Sequence, residues 1–195
     1  MSINIKILGY GSANYGSIIN IFNSLNQDVE ITENYKDIKN CDLLVLPGVG
    51  TFPKAISFLR KKKIFEKLKK NILSGQPVIG ICLGMQLLTT NSTELGFNKG
   101  LNLISGEVKK IPNIQSHIGW NDVYDINNKK YGCYYFQHSY YLKTKIKKNI
   151  EAYFNLNKSK MPAIIRKQNI LGLQFHPEKS QSDGYLYLAK FLKEI

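Results

Sequence analysis

The stretch PVIGICLGMQLLT, Pro77 to Thr89, sets a cysteine at the seam between two local patterns. PVIGI is apolar on both faces, which predicts a strand buried in the centre of a parallel sheet. LGMQLLT predicts the helix that follows it. Cys82 stands between them and between Gly80 and Gly84, in the pattern Gly-x-Cys-x-Gly, the cysteine counterpart of the Gly-x-Ser-x-Gly elbow. Such a turn needs small neighbours and projects its side chain off the carboxyl end of the sheet. The free N–H groups and positive partial charge of the helix N-terminus then favour the thiolate, the reactive form. A free cysteine in apolar surroundings is also an ordinary core residue, and the motif alone leaves both readings open. Cys41, ahead of a strand, and Cys133, inside an alternating one, read as structural.

Working outward, INIKILGYG predicts a strand ending in glycines, and NYGSIINIFNSL a helix with Ile18, Ile21, Phe22 and Leu25 on one stripe. A short strand at Asp28 to Thr32 and a second fully apolar one at Leu43 to Leu46 follow, then helical patterns over Phe52 to Leu59 and Ile64 to Leu73. Strands alternating with helices imply an α/β fold with an open, mainly parallel central sheet covered on both faces. From about Gly106 short alternating segments (GEVKKI, WNDVYDI, GCYYFQ, IEAYFN, AIIRKQ, ILGLQF) suggest antiparallel strands that extend or flank the sheet, and DGYLYLAKFLKEI a closing helix. One domain over residues 1–195 is expected.

The net charge of +13 raises a nucleic-acid hypothesis. Its densest cluster, RKKKIFEKLKK at Arg60 to Lys70, interleaves Ile64, Phe65 and Leu68 at helical spacing, as in an amphipathic helix with a solvated basic face. No helix-turn-helix or RNA-binding signature accompanies it, so a non-enzymatic basic binding module is the remote alternative. No signal-peptide pattern and no long apolar run occur, and three cysteines without a CxxC pair suggest neither a disulfide framework nor a zinc cluster. The reading is a cytoplasmic protein without metal or cofactor.

A cysteine nucleophile needs a base, and the histidines are His117, His138 and His176. His176 follows an apolar strand in LGLQFHPEKS, where Pro177 favours extended backbone. Residues two apart then share a side, so Glu178 can hold the His176 imidazole: an ordered Cys-His-Glu triad. The zinc deaminase pattern that also begins His-x-Glu requires later cysteines, and none follows His176. PGVGTF, Pro47 to Phe52, ends the other central strand, and its two glycines let backbone N–H groups turn inward as an oxyanion site requires. The three segments end neighbouring strands at one sheet edge, where open α/β proteins bind ligands.

PGVG, GICLGMQLL and QFHPEKS in this order, with HIGWN (117–121), HSYY (138–141) and GLNLISGEV (100–108), resemble the class I, triad-type glutamine amidotransferases over nearly the whole chain. Within the family the resemblance is to glutaminase subunits that feed a cyclase-type synthase of histidine biosynthesis. Paralogues that supply ammonia for surface-polysaccharide sugar modification are the alternative. The resemblance implies that Cys82 attacks the carboxamide of L-glutamine, His176 shuttles protons and Glu178 orients it. It places the oxyanion on the backbone of Leu83 and of Gly48, Val49 and Gly50, and the glutamine on Gly84, Gln86, Glu94, His138, Ser139 and Tyr140. It further implies a heterodimer with a (β/α)8-barrel synthase that receives the ammonia. Two departures stand out: GYGSANYGS (9–17) keeps only Asn14 and Ser17 of the usual pattern, and Ile118 stands where the family has methionine.

Overall fold

The structure, a computed structural model, describes residues 2–10, 15–48, 50–157 and 159–195. In chain order its elements are β1 (Asn4–Leu8), α1 (Gly16–Ser24), β2 (Asp28–Thr32), α2 (Tyr35–Asn40), β3 (Leu43–Leu46), α3 (Phe52–Lys61), α4 (Phe65–Leu73), β4 (Val78–Ile81), α5 (Leu83–Leu87), β5 (Thr89–Ser92), β6 (Asn98–Lys99), β7 (Ile104–Lys110), β8 (His117–Asp125), β9 (Lys130–His138), β10 (Tyr140–Lys143), β11 (Ile150–Leu156), β12 (Ser159–Lys167), β13 (Ile170–Leu173) and α6 (Gln181–Phe191).

A nine-stranded sheet runs in the order β2-β1-β3-β4-β13-β12-β11-β8-β9. The five strands from β2 to β13 are mutually parallel, and the remaining four pair antiparallel. Every residue of β3 and β4 is buried, and their side chains divide by parity. Leu43, Val45, Ile79 and Ile81 join Ile18 and Phe22 of α1 and Leu188 and Phe191 of α6 on one face. Leu44, Leu46 and Val78 join Ile38, Phe52, Leu59, Leu68 and Met85 on the other. Each fully buried Leu, Ile or Val of these strands contributes about 1.5–3 kcal/mol relative to exposure. The α/β class read from the sequence is the fold observed.

The antiparallel segments expected to extend or flank the sheet do both: β8, β9, β11 and β12 extend it, while β7 and β10 form, with β5 and β6, a separate four-stranded sheet beside which Leu101, Ile104, Val108 and Leu142 pack on the α3–α5 face. Three local expectations are corrected. ILGLQF, read with the antiparallel segments, supplies β13, which pairs with β4 in parallel inside the central sheet. The helix expected over Leu83 to Thr89 stops at Leu87, because Thr89 turns its hydroxyl back onto the Gln86 carbonyl at 2.7 Å while the Leu87 carbonyl accepts the N–H of Leu101. The basic cluster at Arg60 to Lys70 straddles α3 and α4, broken at Lys63, whose φ is +57°.

Topology builds the site. At the carboxyl ends of β3, β4 and β13, Leu46 pairs with Gly80 and Ile81 with Leu173. The PGVG loop, Cys82 and the segment running to His176 therefore leave one sheet edge side by side. Among the described residues no helix is long and apolar enough to cross a membrane.

Candidate active site

Cys82 adopts φ +48° and ψ −103°, outside the regions open to L-residues without strain. Holding a non-glycine residue there costs about 1–3 kcal/mol, and both of its peptide groups are fastened. Its N–H donates to the Leu173 carbonyl at 2.6 Å and its carbonyl accepts from Gln86 N–H at 3.2 Å. The flanking glycines make the bend possible by close approach. A Cβ on Gly84 would lie 1.9 Å from the carbonyl oxygen of Leu46, and one on Gly80 would lie 2.6 Å from the Gly84 backbone. Gly48 is squeezed likewise, since a Cβ there would fall 2.9 Å from both the Cβ of Cys82 and the Cε1 of His176. The loop, the thiol and the imidazole thus meet at one point.

His176 is 5% exposed. Its N–H donates to the Tyr135 carbonyl at 2.8 Å, and its carbonyl accepts from the Ser180 hydroxyl at 2.6 Å. Its Nδ1 lies 2.7 Å from Oε1 of Glu178, and a carboxylate can only accept, so Nδ1 carries a proton and Nε2 is the nitrogen that takes the proton of the thiol. Burial opposes a charged imidazole here, yet the Cys82 thiolate and the Glu178 carboxylate outweigh it and hold the His176 pKa above its ordinary value. The second Glu178 oxygen is buried without a hydrogen-bond partner, so the carboxylate is committed to the histidine.

Beside Cys82 opens a cavity of about 300 Å³ lined by Gly48, Gly50, Leu83, Gln86, Glu94, Ser116, Ile118, Gln137, His138, Ser139 and Tyr140. It is at the lower end of volumes for small-molecule sites. Most residues assigned by resemblance are thus brought together here. Val49 lies outside the described residues, as do residues 11–14 of the GYGSANYGS segment. Gly84 is not in the lining; it packs on Leu46. Glu94 accepts the N–H of Phe52 at 2.9 Å, a carboxylate at the N-terminus of α3, and burial raises its pKa against that hydrogen bond. Ile118, at the methionine position, is exposed at the rim.

Several residues of the site were not foreseen. The Tyr10 hydroxyl donates to the carbonyl of Pro47 and so anchors the PGVG loop. Gln174, fully buried, places Nε2 3.7 Å from the Cys82 sulfur, and the Gln137 carbonyl lies 3.7 Å from the same atom. Tyr10, Gln137 and Gln174 stand inside GYGSANYGS, GCYYFQ and LGLQFHPEKS, but residue type and spacing assigned none of them a role.

His138 and His117 form a buried pair across β8 and β9, with His117 Nδ1 3.2 Å from His138 Nε2. His138 Nδ1 lies 2.8 Å from the Tyr140 carbonyl, so that nitrogen carries the proton, and His117 Nδ1 is the donor to Nε2. Burial pushes the His138 pKa from 6.5 down to about 3, with His117 and His176 adding to the fall; burial also lowers that of His117. Between those limits the unfolded chain binds a proton that native His138 refuses. Stability present above pH 6.5 is therefore lost as pH falls, by about 1.4 kcal/mol per unit for this group. His176, whose pKa is raised, acts in the opposite sense: its contribution grows as pH falls from 7 through 6.5 and is constant below, and it is common to the wild type and His138→Gln. Urea midpoints measured from pH 7 to 4 are expected to fall in the wild type and to fall less steeply in His138→Gln; equal slopes would refute the assignment.

The likeness to known proteins agrees with this arrangement. The chain matches the family Glutamine amidotransferase class-I over residues 7–195. It is 40% identical over 196 residues to the imidazole glycerol phosphate synthase subunit HisH of Caldanaerobacter subterraneus subsp. tengcongensis, covering 96% of each chain. To the subunit of the same name from Prochlorococcus marinus it is 36% identical over 203 residues, covering 98% of this chain and 95% of the relative. Among solved structures, PurLQS from Thermotoga maritima superposes with a TM-score of 0.78 at 16% identity over the full length of both chains, a likeness of fold. On the strength of a family match spanning almost every residue and relatives of this identity over nearly their whole length, the chain belongs to the class I glutamine amidotransferases and stands with the HisH subunits.

Proposed function

We propose that the chain is the glutaminase subunit of imidazole glycerol phosphate synthase in histidine biosynthesis, acting in the cytoplasm as one amidotransferase domain docked on a (β/α)8-barrel synthase partner. The observation that carries the reading is a buried imidazole fixed by Glu178 at 2.7 Å beside a cysteine at φ +48°. The names of the relatives, subunits of imidazole glycerol phosphate synthase, support the choice of synthase and of a further subunit. No structural observation favours the sugar-modifying or nucleic-acid alternatives.

The chemistry follows from the groups present. The Cys82 proton passes to His176 Nε2, and the sulfur attacks the glutamine carboxamide carbon while the C=O electron pair moves onto oxygen. Backbone N–H groups of Leu83 and of the Gly48 to Gly50 loop stabilise that oxyanion. As the tetrahedral species collapses, His176 returns its proton to the departing nitrogen, which leaves as ammonia, and a thioester remains on Cys82. Water, deprotonated by His176, attacks the thioester; the sulfur leaves and recovers the proton, and glutamate is released. Gln86, Glu94, Ser139 and Tyr140 hold the substrate's polar end in the cavity, and His138, both ring nitrogens engaged, braces the Tyr140 carbonyl on its wall. Ammonia must reach its acceptor before water protonates it, which is the physical reason for a docked partner.

A glutamine-analogue alkylating agent tests the reading. It is expected to place a single adduct on Cys82, leave Cys41 and Cys133 unmodified by peptide mass spectrometry, and abolish ammonia release. Absence of the adduct while ammonia release from glutamine persists would overturn the assignment.

A further inference from the structure

We infer that Gln174 is a further catalytic residue, the hydrogen-bond donor that holds the Cys82 thiolate, oriented by the same side chain that lines the glutamine cavity. The inference rests on the glutaminase reading and adds to it a group outside the triad. It derives from the direction of a buried chain of hydrogen bonds. The Tyr140 carbonyl can only accept, and it lies 2.9 Å from Gln86 Nε2 and 2.8 Å from His138 Nδ1. Gln86 must therefore turn its NH2 towards that carbonyl. The same Nε2 lies 3.4 Å from the side-chain oxygen of Gln174, which fixes the second amide: turned the other way, Gln174 would oppose NH2 to NH2. The only orientation that satisfies both leaves Gln174 Nε2 facing the Cys82 sulfur at 3.7 Å.

The sulfur has a second neighbour, the Gln137 carbonyl at 3.7 Å. As a thiol, Cys82 can donate to that oxygen. Once the proton has passed to His176, the carbonyl repels the thiolate and the Gln174 N–H attracts it. Gln174 is fully buried, so no water competes for its amide, and its backbone N–H is tied to the Ala163 carbonyl at 2.8 Å. The donor is thus preorganised for the charged sulfur, the state that attacks. Both protons of the Gln86 NH2 are used in this chain, so Gln86 has only its oxygen to offer the substrate, as an acceptor.

The test is the pH profile of iodoacetamide alkylation at Cys82 in the full chain, read by peptide mass spectrometry. Gln174→Met keeps the volume and removes the donor. It is expected to move the profile to higher pH by about one unit, the scale of losing one hydrogen bond to a charged group, and to lower kcat for glutamine about ten-fold. Alkylation of Cys133 should not move. Gln174→Glu, which turns an acceptor towards the sulfur, should move the profile further the same way. If Gln174→Met fails to fold by circular dichroism, Gln86→Leu serves instead: it frees the Gln174 amide to turn, and its profile should also move upward. A wild-type profile in folded Gln174→Met, or in Gln86→Leu where that variant is used, overturns the inference. Wild-type ammonia release is measured on the same preparation: an inactive wild type defeats the glutaminase reading, whereas an active one with an unmoved profile defeats only the role of Gln174.

Discussion

Cys82→Ala is expected to abolish ammonia release from glutamine while the complex with its synthase partner still turns over on added ammonium salt. The substitution removes the sulfur that forms the thioester and leaves a small apolar residue where the thiol is 5% exposed, so fold and docking surface persist. Without a nucleophile, loss of about 10⁶-fold in kcat follows, with only oxyanion and binding contributions remaining. His176→Asn should lose a similar factor, because it removes the base that takes the proton of the thiol. Glu178→Gln should lose less, about 10⁴-fold where removal of a nucleophile costs about 10⁶. Its amide can turn NH2 towards Nδ1 and favour the wrong tautomer, but the imidazole remains in place. Ammonia release and ammonium-dependent synthase turnover, measured in parallel, separate a chemical defect from a failed assembly. Full glutamine-dependent turnover by Cys82→Ala, or a Glu178→Gln loss equal to that of Cys82→Ala with both folded, would refute the roles assigned here.

Why some of this was legible in the sequence and some was not has a physical basis. Leu43–Leu46 and Val78–Ile81 read as buried strands because burial on both faces demands unbroken apolar runs, and the structure has them at those bounds. Asp28–Thr32 was found at its observed ends because Gln, Asn and Glu punctuate it. α2 (Tyr35–Asn40) was missed: it buries only Ile38 and rests on an Asn34 cap accepting Lys36 N–H, too short to show a period. The second sheet was foreseen only as flanking strands, since its partners are set by non-local pairing, such as β5 beside β7, on which local alternation is silent. In the site, the His176–Glu178 pair was legible but its backbone was not: the extended segment expected from Pro177 ends at His176, and Pro177–Lys179 is a turn of 3-10 helix that still brings Glu178 to the ring. Gln174 was not legible. It sits in an apolar strand end and meets Gln86 and Cys82 across 88 and 92 positions of chain, contacts that only the folded sheet creates.

Gly84→Ala is expected to destroy activity as thoroughly as a triad change, but through the backbone. The resemblance assigned Gly84 to glutamine binding, while in the structure its α-carbon presses on β3. The added methyl would lie 1.9 Å from the Leu46 carbonyl oxygen and 2.6 Å from its carbon, and backbone cannot step aside as a side chain can. Relief requires α5 to lift from the sheet, and α5 starts directly after Cys82. The lift would displace Leu83 N–H from the oxyanion position and carry Gln86 away from Tyr140 and Gln174. Overpacking of a tight site costs about 1–3 kcal/mol, occasionally more, and an ångström of misplacement costs about 10²-fold in rate. The expected result is a lower urea midpoint together with at least a hundred-fold fall in kcat. A pure binding role gives a different pattern, a raised KM at unchanged kcat and unchanged stability. Gly50 supplies the contrast: nothing lies within 4 Å of a Cβ there, although its φ of +95° strains any side chain. Gly50→Ala should therefore disturb the PGVG loop and the rate while leaving α5 seated, so that the two glycines of one site fail by different physics and their urea midpoints tell them apart.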